Sequence, residues 1–208
     1  MKLISLEVGV MHSNNYIVVN EACDKGVLID CSGDGSEVVL AAQQAGITIS
    51  AIILTHGHSD HIEGIDKVVQ AFACPVYIHS LDLGFLDRPE YNLSTQLYGK
   101  PLTVEARAIA VSDGDVIEEA GLAFEVIHTP GHTQGSICLL CDKILFTGDT
   151  LFRNSIGNDF PPFGNINTEI ESIQSCLFTL KKDYACYPGH GEPTELFYEM
   201  KNNMYCRI

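Results

Sequence analysis

Basic side chains are scarce in this sequence. Lys and Arg number 12 in 208 residues against 27 Asp and Glu, a formal net charge of −15. A chain so poor in cations lacks the footprint of a nucleic-acid binder or of an anionic membrane surface, because both partners reward Lys and Arg. Long apolar runs are missing too. No stretch approaches the roughly 18 residues that a membrane-spanning helix needs. The opening residues, Met1-Lys2-Leu3-Ile4-Ser5-Leu6-Glu7, put a Glu inside the apolar stretch that a signal peptide requires and read instead as a first strand. No low-complexity tract, linker or short repeat interrupts the chain, and no Gly-x-Ser-x-Gly elbow offers a serine nucleophile. What remains, at 46% hydrophobic residues, is a core-forming chain. It is expected to form one domain over residues 1–208 and, without an export signal, to reside in the cytoplasm.

The eight Cys are scattered, so reduced thiols buried as small hydrophobes are expected. Cys138 and Cys141 form a C-x-x-C, but within a strand-like apolar run. Residues three apart on a strand point to opposite faces, so this pair is not read as a chelate. Hydrophobic spacing predicts strands at 3–10, 16–19, 27–30, 49–54, 75–78, 103–111, 116–118, 122–128, 137–140, 144–147 and 185–187. Helices are predicted at 36–45, 62–72, about 168–180 and about 195–203. The 81–100 segment reads as part helix, part loop, and 150–165 as a polar, Gly/Pro-rich loop. Strands and a helix followed by strands and helices again suggest two packed sheets with helices outside.

Chemistry concentrates in Thr55-His56-Gly57-His58-Ser59-Asp60-His61, immediately after a buried strand. Three imidazoles and a carboxylate within six residues are the donor types that zinc, iron and manganese favour. The small Gly57 and Ser59 allow a curl in which His56 and His58 hold one ion while Asp60 and His61 turn to another. Two ions need more ligands, and three candidates follow, each at a strand end and each preceded by Gly: His132, Asp149 and His190.

His56-Gly57-His58-Ser59-Asp60-His61 followed by Gly131-His132-Thr133, Gly148-Asp149 and Pro188-Gly189-His190 resembles the metallo-β-lactamase superfamily. The stretches around His132, Asp149 and His190 resemble its glyoxalase II-like hydrolases. The resemblance implies an α/β fold, a four-layer αβ/βα sandwich with the metal site at the edge between its two sheets. It implies that His56, His58 and His132 hold a first ion, that Asp60, His61 and His190 hold a second, and that Asp149 bridges both. It places Asp30 behind the ligands, and Asn15-Tyr16 where such enzymes often carry Asn-Tyr. A turn residue or a strand aromatic is the plain structural alternative for these positions.

The resemblance further implies two divalent ions, zinc first with iron or manganese as options, and a hydroxide shared between them. That hydroxide would attack a small-molecule thioester of the S-lactoylglutathione type, with Asp60 also orienting the nucleophile. Alternatives in the same superfamily are a mononuclear iron persulfide dioxygenase and a lactonase. Three departures bear on the substrate. Only residues 191–208 follow His190, which resembles the short subgroup without a helical glutathione-binding domain. Asn158 stands where the family usually has Arg, removing a fixed cation for which Arg153, read as a surface-loop residue, is the candidate replacement. Glu63 stands where many relatives have Gly. His12, His79 and His128 match no pattern and are read as structural.

Overall fold

The computed structural model describes residues 1–160 and 162–208; Pro161, within the expected 150–165 loop, lies outside the described residues. Strands β1 (Lys2–Val8), β2 (Ser13–Asn20) and β3 (Lys25–Ile29) form an antiparallel meander. Helix α1 (Ser36–Gln44) leads to β4 (Thr48–Ile53), and helices α2 (Ser59–Ile62) and α3 (Ile65–Phe72) lead to β5 (Val76–His79). A 3-10 helix (Ser80–Phe85) and helix α4 (Ser94–Tyr98) precede β6 (Ala108–Val111). The first sheet runs β1-β2-β3-β4-β5-β6, parallel from β3 onward.

The second half adds β7 (Val116–Glu119), β8 (Leu122–His128), β9 (Ile137–Cys141) and β10 (Ile144–Gly148). A small hairpin of β11 (Leu151–Phe152) and β12 (Ser155–Ile156) comes next, then α5 (Ile166–Ser172), continued by a π-helical turn (Ile173–Leu177). Strands β13 (Ala185–Pro188) and β14 (Thr194–Glu195) and helix α6 (Leu196–Asn202) close the chain. The second sheet runs β14-β13-β10-β9-β8-β7, with β10 and β13 its parallel pair.

Three apolar layers hold the sheets and helices together. Val38 and Ala42 of α1 and Ile65 and Val68 of α3 pack on Ile17, Leu28 and Ile52 of the first sheet. Tyr16, Val18, Val27 and Ile53 meet Phe124, Val126, Leu139 and Phe146 between the sheets. Ile173, Leu177 and Leu196 cover Cys138, Leu145 and Cys186 on the outer face of the second sheet. This is the expected helix–sheet–sheet–helix stack. Residues 16–19 of β2, 27–29 of β3 and 51–53 of β4 read as continuous apolar runs because both faces of these strands are covered. Cys138 and Cys141 do face opposite layers, and all eight cysteines are free.

Several expected boundaries move. The helix expected over 62–72 breaks at Gly64, whose N–H donates to the Cys31 carbonyl (2.9 Å) instead of continuing the helix. Gly64 lies against Gly35, and a Cβ on either glycine would strike the other's backbone. The strand expected at 103–111 forms only over Ala108–Val111, because the Asp66 carboxylate takes the Glu105 and Ala106 N–H groups (2.9–3.1 Å). The loop expected at 150–165 contains the β11–β12 hairpin, turned at Asn154 with φ 60°. The helix expected near 168–180 starts at Ile166, where the Asn165 side chain caps Thr168 N–H (3.0 Å).

Candidate metal centre

The site sits where both sheets end together. The chain leaving β4 carries His56, His58, Asp60 and His61; the chain leaving β8 carries His132; β10 ends into Asp149 and β13 into His190. Backbone bonds stitch the two sheets at this edge. Ile137 N–H donates to Thr55 O (2.9 Å) and Asn14 N–H to Gly189 O (2.7 Å), while Gly189 N–H donates to Gly148 O (2.8 Å) within the second sheet. The Tyr16 hydroxyl donates to Pro188 O (2.7 Å) and the Asn14 amide to Pro188 and Gly191 carbonyls (3.0 and 2.9 Å). Gly57 packs against Phe85 with no room for a Cβ, and this close approach curls the loop so that His56 and His58 face the same cleft.

All seven expected ligand side chains converge. One donor atom each from His56, His58 and His132 lies within 4.8 Å of the others, and so do Asp60, His61 and His190. Asp149 groups in the same way with His56 and His61, between the two triads. His58 Nδ1 is 2.8 Å from His132 Nε2, and His61 Nε2 is 3.3 Å from His190 Nε2. Asp149 Oδ1 stands 3.5 Å from His61 Nε2, and Asp149 Oδ2 stands 3.6 Å from His132 Nε2 and 3.5 Å from His190 Nε2. Asp60 Oδ2 stands 3.1 Å from His190 Nε2. Two atoms at the heart of the cluster, His56 Nε2 and Asp149 Oδ1, are buried without a hydrogen-bond partner. Orphaned buried donors and acceptors are costly, and facing imidazole nitrogens and carboxylate oxygens fit divalent cations.

The electrostatics differ between the triads. Burial drives His56 and His58 well below the usual imidazole range, and neighbouring imidazoles push further in the same direction. Burial lowers His132 as well, against the pull of Asp149. Burial thus favours the neutral form of these rings, the form in which imidazole binds a metal. Around the second triad burial opposes every charge, yet attraction wins. Asp60, Asp149 and Asp30 raise His61 well above its ordinary value, and His61 and His190 hold Asp60 far below the carboxylate range. His190 is raised against burial by its hydrogen bond to Asp60. Three carboxylates thus demand positive charge here, which a cation supplies without protons.

Supporting groups fix the rings. Asp30, in a left-handed conformation (φ 57°), accepts from Thr55 N–H and Oγ1 (both 2.8 Å) and faces His61 Nδ1 at 3.0 Å. That contact turns His61 Nε2 into the cleft, the placement expected for Asp30. His132 Nδ1 donates to the Asn158 carbonyl (2.7 Å). Asn158 therefore serves the cluster through its backbone, while its exposed side chain stands at the cleft wall. Asn15 is buried and acts locally, accepting Ser32 N–H (2.6 Å) and donating to Ser13 and Leu6 carbonyls. Arg153 does not reach the cleft: it is exposed, pairs with Glu192 and borders a separate hollow beside Tyr198. Glu63, half-buried, bonds to Tyr98 and borders the neighbouring groove with Lys100.

Three polar residues escaped sequence reasoning. Ser13 Oγ donates to Asp60 Oδ2 (2.9 Å). Asp82, fully buried on the 3-10 helix, accepts from Gly57 N–H (3.0 Å), Gly135 N–H (2.8 Å) and Thr133 Oγ1 (2.7 Å), tying the His-rich loop to the His132 loop. Glu169, fully buried on α5, accepts from Gly157 N–H (2.9 Å) beside the Asn158 carbonyl, and burial pushes its carboxyl up to about 8. The partners of each lie in other elements of the fold; Asn165 before Thr168 and Glu169 marks a helix start and not a site. Of the unassigned histidines, His12 is an exposed partner of Glu7, and His79 stacks on His128 (centroids 4.1 Å, planes 12° apart).

Comparison with known proteins gives a consistent picture. A family model described as the metallo-beta-lactamase superfamily matches residues 8–190. A Streptococcus pyogenes protein described as a "probable metallo-hydrolase" is 33% identical, covering 99% of this chain and 90% of its own. The hydroxyacylglutathione hydrolase GloC of Haemophilus influenzae is 30% identical over 86% of this chain and 85% of its own. Among solved structures, BLEG-1 B3 metallo-beta-lactamase superposes with a TM-score of 0.93 at 30% identity, covering 99% of both chains. A di-iron-bound form of TTHA1623 gives 0.85 at 28%, covering 97% of this chain and 99% of the other. ETHE1 from Myxococcus xanthus gives 0.80 at 25%, covering 99% and 84%.

Proposed function

The chain belongs to the metallo-beta-lactamase superfamily, and on that premise we propose that it is a hydrolase that holds two divalent ions, zinc before iron or manganese, and cleaves a small thioester. The observation that carries this reading is Asp149 between two triads of donor side chains, with Oδ1 buried and without a hydrogen-bond partner. His56, His58 and His132 would hold the first ion, Asp60, His61 and His190 the second, and Asp149 both. Ions so held lower the pKa of water toward neutrality and act as Lewis acids on a carbonyl oxygen.

The chain's own part is orientation. Asp30 and the Asn158 carbonyl hold the Nδ1 protons of His61 and His132, which leaves each Nε2 lone pair aimed into the cleft. Thr55 Oγ1, 3.1 Å from His56 Nδ1, does the same for His56. Ser13 fixes the Asp60 carboxylate at the cleft floor, where it can orient the attacking water. The preference for a thioester draws on the likeness to a hydroxyacylglutathione hydrolase.

A second reading, a mononuclear iron persulfide dioxygenase, draws on the likeness to ETHE1, with the iron-bound form of TTHA1623 showing iron on this scaffold. One experiment separates them: the purified chain is assayed on thioesters, lactones and β-lactams and for oxygen consumption with a persulfide. Thioester hydrolysis without oxygen uptake is expected. Oxygen uptake on one iron per chain, with no hydrolysis, would overturn the proposal.

A further inference from the structure

The walls of the metal cleft carry information that the ligands do not. The cleft, a cavity of about 290 Å³, is floored by His58, Asp60, His132, Asp149 and His190. Its rim consists of Met11 from the β1–β2 turn, Leu93 and Leu97 at α4, Phe152 of β11, and Phe160 before α5. These come from four separate segments and flank both triads. The Phe160 ring stands edge-on to His58 and His132 (centroids 5.8 and 6.1 Å), and Phe152 stands edge-on to His190 (6.1 Å). Met11, Leu97 and Phe160 are exposed by 41%, 36% and 38%, so apolar side chains converge on this mouth while open to water. Beyond the metal-cluster residues, the only polar side chain on the wall among the described residues is the uncharged Asn158.

Among the described residues, neither Lys nor Arg lines the cleft. Arg153 pairs with Glu192, Arg88 bonds to Tyr91, and Lys100 borders a separate groove with Asp34, Glu37 and Glu63. A glutathione thioester carries two carboxylates, and a β-lactam carries one. On this rim neither finds a cationic side chain, and each would lose hydration against Phe, Leu and Met. An alkyl chain, by contrast, would cover surfaces that now face water.

From this convergence of an apolar rim and absent cations we infer that the substrate is a thioester whose groups flanking the scissile carbonyl are uncharged and apolar, seated on Phe160, Leu97, Met11 and Phe152. The inference rests on the thioester reading above and sharpens it. In the reaction, water adds its oxygen to the acyl carbon and the C–S bond breaks. The sulfur leaves with the electron pair and takes up a proton, giving a carboxylic acid and an uncharged thiol. Anionic glutathione thioesters and β-lactams are then poor substrates of this cleft, and Leu97 and Phe160 set specificity.

The test compares the hexanoyl thioester of N-acetylcysteamine, which is neutral, with S-lactoylglutathione on the metal-loaded chain. Calorimetric binding of two uncleavable thioethers, S-hexyl-N-acetylcysteamine and S-hexylglutathione, runs in parallel. A kcat/KM at least about tenfold higher for the neutral thioester is expected, the scale of apolar-pocket discrimination, with the neutral thioether binding correspondingly tighter. Phe160→Ala should reduce that ratio chiefly through KM, and Leu97→Lys should reduce it by improving the glutathione thioester. Equal or better cleavage and binding of the glutathione compounds would overturn the inference and leave the thioester reading standing. Cleavage of neither thioester would overturn both.

Discussion

Asp82 shows how much of the centre depends on a residue that never reaches the cleft. It is fully buried, and its two oxygens receive three donors from two loops that carry ligands on either side of the metal cleft. Burial pushes its carboxyl up to about 6, opposed by those same hydrogen bonds. Asp82→Ala would leave buried N–H groups without acceptors, at a cost of about 3 kcal/mol. It should also weaken metal binding by about 10- to 100-fold, the usual effect of losing a supporting partner. Denaturant unfolding and competitive metal titration of the variant measure the two effects. Unchanged metal affinity would remove Asp82 from this role.

His79 gives a pH prediction at the same scale. Burial, reinforced by the stacked His128 ring, pulls its imidazole down to about 4, against Asp113 and Asp115. In the unfolded chain it titrates near 6.5. As pH falls from about 6.5 to 4, the unfolded chain binds a proton that the folded chain refuses, so stability is lost across that window. His79→Phe keeps a stacking ring and removes the titration. Its melting temperature should fall less than that of the parent between pH 7 and pH 4.5. An equal fall would mean that His79 contributes no linkage.

At the scale of elements, the strand ends do the positioning, and glycine makes the packing feasible. Gly189 is the sharpest case. A Cβ there would overlap Asp149 Oδ1 and come within 2.8 Å of His61 Cε1. Gly189→Ala should therefore displace Asp149 and cost about 100-fold in activity, the scale of a misplacement of about 1 Å. Circular dichroism should stay that of the folded parent, and full activity would show that the junction tolerates side chains.

The same scale explains what the sequence could disclose. The β4 run followed by His56-x-His58-x-Asp60-His61 is legible because strand, loop and ligands are contiguous, and the later ligands each follow a strand end. The break at Gly64 is not, because its cause is Gly35, brought close only by folding. Nor is the shortening of β6, where a carboxylate 39 residues away captures the Glu105 N–H. Hairpin β11–β12 has only two residues per strand, too few for an alternation pattern. Asp82 and Glu169 give no signal in sequence for the same reason as Gly64: their partners arrive from other elements.

Over the whole molecule, a −15 chain gathers five imidazoles and three carboxylates, Asp30 included, at one edge of two stacked sheets. No helix among the described residues is long and apolar enough to cross a membrane. Ions held at that edge would link strands from both sheets, so they should stabilise the entire fold and not only the site. Removing them with a chelator should lower the melting temperature by more than about 5 °C, given free metal about 100-fold above its Kd. Re-addition of zinc should restore it, whereas indifference to chelation would deny the ions any structural part.

The position of Asp149 between the two side-chain triads makes the number of ions the central quantity. Elemental analysis of the fully active, gel-filtered chain measures it directly. Two divalent ions per chain are expected, falling toward one or none in Asp149→Ala together with activity. A fully active chain holding a single ion would contradict the two-metal account.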